Sequence, residues 1–300
     1  MEKLLLEFEQ LILNYRKEIN NELIDVYNAG PVSLVDPINY VLSGKGKRFR
    51  PLLTLFTAES FGGTIEQAMP SAIAIEILHN FTLVHDDIMD EDHTRHGKAT
   101  VHHKWDVGTA ILTGDAMLSL ALKMIQQSRA HHEVLMNCFI HGLLAVCEGQ
   151  ALDKEFETRK NVSIEEYIDM IDLKTGHLVG LAAEMGAISI GMEKQKVNAV
   201  RDYGRLIGRA FQIQDDLLEI YSDSKNMGKS LESDLILGKK TFLMILAKKI
   251  APAELENVLN TARGDFTKGL VDIRRLLDKY GIRTKALDNI NSIIKKQMHC

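Results

Sequence analysis

A chain of 300 residues is long enough for one large domain or two ordinary ones, with a substantial core. Its 45% apolar and 26% charged residues mark a globular protein, and a net charge of −5 gives no basis for nucleic-acid binding or an acidic tail. Cys138, Cys147 and Cys300 form neither a metal-binding spacing nor a disulfide framework, so a reducing, cytoplasmic setting is expected.

At the N-terminus, Leu4, Leu5, Phe8, Leu11, Ile12, Tyr15 and Ile19 form one apolar stripe, and the acids between them predict a helix rather than a signal peptide. The five prolines stand at Pro31, Pro37, Pro51, Pro70 and Pro252. The proline-free interior permits long helices, since proline inside one costs ~3 kcal/mol or more. Thr64-Ile65-Glu66-Gln67 and Ser163-Ile164-Glu165-Glu166 are capping-box sequences that predict helix starts near 65 and 164. Long helices are predicted near 65–92, 106–128, 133–157, 164–190 and 195–222. Shorter ones follow near 235–250, 253–263, 268–280 and 284–298. Alternation is scarce, so strand signals are weak. The segments near 72–90 and 199–221 carry few charges before their acidic ends and are expected inside a bundle. No apolar run is expected to span a membrane. The expected fold class is all-α, a single domain over residues 1–300 built as a bundle of long helices.

Two acidic clusters carry the chemistry. Leu83-Val84-His85-Asp86-Asp87-Ile88-Met89-Asp90-Glu91-Asp92 closes a long apolar run. On a helix, Asp86 and Asp90 stand one turn apart, where like charges repel unless a cation holds both. Hard oxygen ligands favour Mg²⁺ or Ca²⁺. A solvated acidic helix end would contain the same residues. The second cluster, Gln212-Ile213-Gln214-Asp215-Asp216-Leu217-Leu218-Glu219, repeats acids at i, i+1 and i+4 after another apolar run, which points to two metal-binding faces.

Four basic stretches accompany them. Gly44-Lys45-Gly46-Lys47-Arg48-Phe49-Arg50-Pro51 reads as a glycine-loosened turn whose four cations suit phosphate oxygens. It lacks the glycine spacing and the Ser or Thr of a P-loop. Arg95-His96-Gly97-Lys98 follows the first acidic cluster, and Lys174-Thr175-Gly176-His177 opens an apolar, small-residue helix. The fourth joins Gly228-Lys229, Asp234 and Gly238-Lys239-Lys240-Thr241. Singly, each would pass for surface; together with the acids they describe metal ions bridging a polyanion, which is phosphate or diphosphate chemistry. An EF-hand is excluded, since a loop from Asp90 has Arg95 where glycine is required and Val101 where the bidentate Glu belongs.

From Gly44 to Thr241 the ordered set resembles the trans-isoprenyl diphosphate synthases, the polyprenyl synthase family that makes farnesyl and geranylgeranyl diphosphates. The set comprises the Gly-Lys-Arg-Phe-Arg-Pro turn, Asp-Asp-x-x-Asp at 86–90, Gly149-Gln150 with Asp153, Lys174-Thr175, and Phe211-Gln212 leading into the second acidic motif. The resemblance implies an isoprenoid synthase fold around a central cavity, a homodimer, and three Mg²⁺ ions per site. It also implies the reaction, in which an allylic diphosphate ionises, the double bond of isopentenyl diphosphate attacks the carbocation, and a proton is lost. Asp86, Asp90 and Asp215 would ligate the metal. Arg95, Lys174, Lys229 and Lys239 would neutralise diphosphate oxygens, while Lys47, Arg50 and His79 match the isopentenyl diphosphate pocket. Thr175 and Gln212 would turn oxygen dipoles toward the cation. Two departures stand out: His96 replaces the second arginine usual after the first motif, and Glu219 ends the second motif where Asp is usual.

The growing tail would run beside the helix bearing Asp86. Phe81, five residues back and about 7.5 Å along the axis, and Thr82, nearly on the face of Asp86, are the residues expected to set product length. Within the resemblance, an aromatic at 81 with no insertion in the first motif is most like archaeal-type geranylgeranyl diphosphate synthases, with shorter and longer products as alternatives. A terpene cyclase would share the all-α architecture and a first acidic motif, but Lys47 and Arg50 argue against it. A catalytically silent regulatory subunit would show damage to an acidic motif, and Glu219 and His96 are conservative changes.

Overall fold

The computed structural model describes residues 2–24, 26–44, 46–128, 130–221 and 239–297. In chain order the elements are α1 (Glu2–Ile24), α2 (Val32–Leu42), α3 (Phe49–Ser60), α4 (Ile65–Met89), β1 (Thr94–Arg95), β2 (Lys98–Ala99), α5 (Val101–Lys104), α6 (Val107–Gln126) and α7 (His132–Thr158). There follow α8 (Ile164–Ile171), a π-helical turn (Asp172–Gly176), α9 (His177–Ser189), α10 (Lys194–Tyr221), α11 (Phe242–Ile250), α12 (Pro252–Gly264), α13 (Phe266–Lys279) and α14 (Ile282–Gln297). The class is all-α. By its internal contacts the chain divides into two compact units, residues 1–143 with 178–202 and residues 144–177 with 203–300.

The first unit is built on α4. Thr64 and Gln67 close the capping box that starts it. Ala72, Ile73, Ala74, Ile75, Ile77 and Leu78 are all buried, so the helix is apolar around its whole circumference and lies inside the unit as expected. It packs against α3 and α6. Thr54 of α3 donates to the Ala182 carbonyl of α9 at 2.8 Å, and Ser71 pairs with Ser189 at 2.8 Å.

Beyond α4, where strand signals are weak, β1 and β2 form a small antiparallel hairpin with Thr94 opposite Ala99 and Arg95 opposite Lys98. His96 and Gly97 turn it with φ of 50° and 76°, the left-handed pair that a two-residue hairpin turn needs.

In the second unit a core of Phe156, Tyr167, Ile213, Leu217, Phe242 and Leu277 gathers α8, α11 and α13 with the end of α7 and with α10. The expected continuous helix over 164–190 is interrupted, because residues 172–176 widen into the π turn. Two glycines permit it. A Cβ at Gly149 would stand 2.3 Å from the Lys174 nitrogen, and one at Gly208 would stand 2.7 Å from the Gly176 Cα.

One further expectation is corrected. The segment near 199–221 is amphipathic rather than interior, since Tyr203, Phe211 and Leu218 of α10 are each close to half exposed. The expectation of no membrane span stands: α6 and α7 meet a criterion of length and composition that buried core helices also meet, and neither is a clear span.

Candidate functional site

The first unit carries the first acidic motif at the end of α4. Asp86 lies in the last turn, and Asp90 caps the helix, its N–H donating to the Asp86 carbonyl at 2.8 Å. Carboxylates at a helix C-terminus face the negative end of the helix dipole, so a cation there would be favourable. Asp87 differs from them. It is buried and accepts a bond from Arg95 Nε at 2.6 Å. Burial pushes its carboxyl up to about 6 against the pull of Arg95.

His79 is two turns before Asp86 on the same helix. Burial holds its imidazole well below the usual histidine range, and the charges of Arg50, Arg95, Arg48 and His96 push in the same direction. Glu76 balances Arg48 and Asp87 balances Arg95, and a neutral histidine beside these groups keeps one ring N–H that can donate to an anion. Arg50, Arg95, His96 and His79, expected to contact diphosphate, are therefore brought together.

The basic turn is shorter than the sequence suggests. Phe49 begins α3, so Arg50 and Pro51 ride on its first turn, while Lys47 stays exposed in the loop. Arg48, grouped by sequence with an oxyanion clamp, points inward. It adopts φ 53° and pairs with Glu76 at 2.6 Å, while its guanidinium also donates to Asn20 and to the Leu42 and Gly44 carbonyls. Lys45 lies outside the described residues. Of the two length-setting candidates, Phe81 is buried, and Thr82 turns its hydroxyl back to the His79 carbonyl at 2.8 Å.

The second unit carries the rest. Lys174 Nζ bonds Asp153 Oδ2 at 2.7 Å, and Thr175 donates to Gln212 Oε1 at 3.0 Å. Gln212 also reaches Asp216, which accepts from the Tyr167 hydroxyl at 2.6 Å and from the Phe242 N–H at 3.0 Å. Burial raises the Asp216 carboxyl to about 6 in spite of those donors. The two motifs thus share one plan, in which the middle aspartate is buried and tied while Asp86 and Asp215 are half-buried. Glu219 follows Asp215 by one turn of α10. Lys239 is half-buried just before α11; Lys229, with Gly228, Asp234 and Gly238, lies outside the described residues.

Sequence reasoning missed the anchor of the π turn. Asp172 bonds Arg209 Nε at 2.7 Å and also pairs with Arg205. Burial alone would raise its carboxyl, but Arg209 and Arg205 outweigh burial and hold it below the ordinary value. Its signal was an acid in the apolar approach to Lys174-Thr175, with arginines four residues apart on α10. Gln150 is also buried, with neither amide atom bonded.

Among the described residues no three metal-ligating side chains converge. Mg²⁺ is bound through one or two carboxylates plus substrate phosphates rather than by an all-protein cage. Asp86 and Asp90 in the first unit, and Asp215 in the second, carry hard oxygens of the kind it takes.

A polyprenyl synthetase family model matches residues 31–278. A geranylgeranyl diphosphate synthase of Sulfolobus acidocaldarius is 34% identical, over 94% of this chain and 92% of that protein. A geranylfarnesyl diphosphate synthase of Natronomonas pharaonis is 37% identical, over 78% of this chain and 74% of its own. A crystal structure of a geranylgeranyl pyrophosphate synthase superimposes with a TM-score of 0.90 at 39% identity, covering 96% of this chain and 91% of that one.

Proposed function

The chain belongs to the polyprenyl synthetase family, and we propose that it is a chain-elongating prenyltransferase that joins isopentenyl diphosphate to an allylic diphosphate and releases mainly geranylgeranyl diphosphate. The observation that carries this reading is the end of α4, where Asp86 and Asp90 stand on a helix whose His79 is held neutral among Arg50, Arg95, Arg48 and His96.

Asp86, Asp90 and Asp215 would hold Mg²⁺, three ions in this reading, which would supply the positive charge that lets the allylic diphosphate depart with the electron pair of the C1–O bond. Lys174, Lys229, Lys239 and Arg95 bind the remaining oxygens, with Lys174 exchanging Asp153 for the substrate. Lys47, Arg50, His79 and His96 hold isopentenyl diphosphate, whose double bond attacks C1. The proton then lost from that unit passes to the departing diphosphate. Thr175 and Gln212 direct oxygen dipoles at the developing cation in a site kept dry. Phe81, seconded by Thr82, sets the floor that ends elongation.

The reading further assigns one polyprenyl synthase domain over residues 1–300, acting in the cytoplasm as a homodimer. Exposed Val107 and Ile111, one turn apart on α6, support the last point, since a second copy would cover them.

The test incubates the protein with Mg²⁺, labelled isopentenyl diphosphate and dimethylallyl, geranyl or farnesyl diphosphate, then resolves the products by length. A main C20 product is expected. A C25 product, the alternative favoured by the geranylfarnesyl relative, keeps the reaction and removes the length assignment. No incorporation from folded protein leaves a silent subunit.

A further inference from the structure

We infer that Gly114 of α6 and His85 of α4 form a backstop that fixes the depth of the floor at Phe81. The inference rests on the reading of Phe81 as that floor and adds the residues that hold it in place.

Phe81 and His85 are four apart on α4 and so share a face. Their rings meet edge to face, with centroids 4.7 Å apart and planes inclined at 60°. The far side of the imidazole rests on α6. A Cβ at Gly114 would stand 2.1 Å from His85 Nε2 and 2.5 Å from its Cδ2, closer than any side-chain contact tolerates. The ring therefore sits against bare backbone. Helices α4 and α6 pack together, and Ala110 and Met117 on the same side of α6 are fully buried, so the backbone there has no room to retreat. A glycine inside a helix costs ~1 kcal/mol relative to alanine, and this close approach supplies the reason for it.

The consequence is mechanical. Phe81 cannot tip toward the next turn because His85 fills it, and His85 cannot yield because α6 stands behind it. Floor depth is set by three residues in series, and the volume of Phe81 is one term among them. Both His85 and Gly114 act as positioning residues.

The readout is the ratio of C20 to C25 product. This is a partition between release and one more condensation within a single enzyme, so a uniform loss of rate leaves it unchanged. His85→Ala opens space beside Phe81 and is expected to lengthen the main product by one isoprene unit. Gly114→Ala drives the imidazole onto Phe81 and is expected to alter the ratio. Added to His85→Ala, it is expected to change nothing further, because the group it strikes is gone. Phe81→Ala is run beside them. If it lengthens the product while His85→Ala leaves the profile of the parent, the floor stands and the backstop is overturned. If Phe81→Ala itself leaves the profile unchanged, the floor reading fails and the backstop with it. Should Gly114→Ala not fold, His85→Ala alone decides.

Discussion

Thr175 Oγ1 donates to Gln212 Oε1 at 3.0 Å, so two side chains assigned to the developing carbocation orient one another before any substrate is present. The π turn carries Thr175, α10 carries Gln212, and the Asp172 pairs with Arg205 and Arg209 join the two elements. Thr175→Val keeps the shape and removes the donor. It is expected to lower kcat ~10-fold, the order of one preorganised hydrogen bond, while leaving KM for isopentenyl diphosphate unchanged. Steady-state kinetics decide it: a raised KM with kcat intact would assign Thr175 to binding instead.

Neighbouring aspartates in the first motif are expected to separate function from stability. Asp86→Asn removes a carboxylate proposed to hold metal and is expected to cost ~10³-fold or more in kcat/KM, as several kcal/mol of leaving-group stabilisation go with it. Its Tm is expected to hold or rise, because a like charge leaves a crowded helix end. Asp87→Asn removes a buried partner of Arg95, and the expected loss is ~1–3 kcal/mol of stability with a smaller drop in activity. Calorimetry and assay on both variants test the division. An Asp87→Asn protein of unchanged Tm and lost activity would overturn it.

What the sequence disclosed was what depends on local spacing. The capping boxes at Thr64 and Ser163, the buried apolar run into the first acidic motif and the one-turn separation of Asp86 from Asp90 all survive in the structure. What it hid depends on unusual backbone or on distant partners. Arg48 looked like its cationic neighbours because its left-handed conformation, which turns it inward, leaves no mark on composition. The hairpin at His96-Gly97 was masked by its basic residues. The π turn shifts helical periodicity by one residue, too little to show in a pattern. Asp172 finds Arg205 and Arg209 more than thirty positions away, beyond the reach of any helical spacing.

The pairing of Arg48 with Glu76 makes the basic turn a stability element as well as a carrier of Lys47 and Arg50. Both side chains are almost fully buried, at 4% and 5% exposure. Arg48→Met strands a buried carboxylate and is expected to cost ~3–5 kcal/mol in urea denaturation. Arg48→Met with Glu76→Leu is expected to recover much of that loss, since an apolar pair removes the uncompensated charge. A double variant as unstable as the single one would show that the bonds to Asn20 and the two carbonyls, rather than the ion pair, hold the turn.

His79 gives the clearest pH signature. Its folded pKa lies well below 6.5, from burial first and then from Arg50, Arg95, Arg48 and His96. As pH falls through 6.5 the unfolded chain takes up the proton first, so stability present above that value is lost progressively toward the lower folded pKa. His79→Gln is expected to flatten this part of the stability profile. A bound diphosphate offsets the same cationic charges and raises the imidazole pKa, so binding near pH ~6 is expected to draw a proton onto His79. Calorimetric titration of isopentenyl diphosphate in two buffers of different ionisation heat measures net proton exchange. Subtracting the His79→Gln value cancels protons released by the diphosphate itself. A difference of zero would remove His79 from the binding site while leaving its stability role intact.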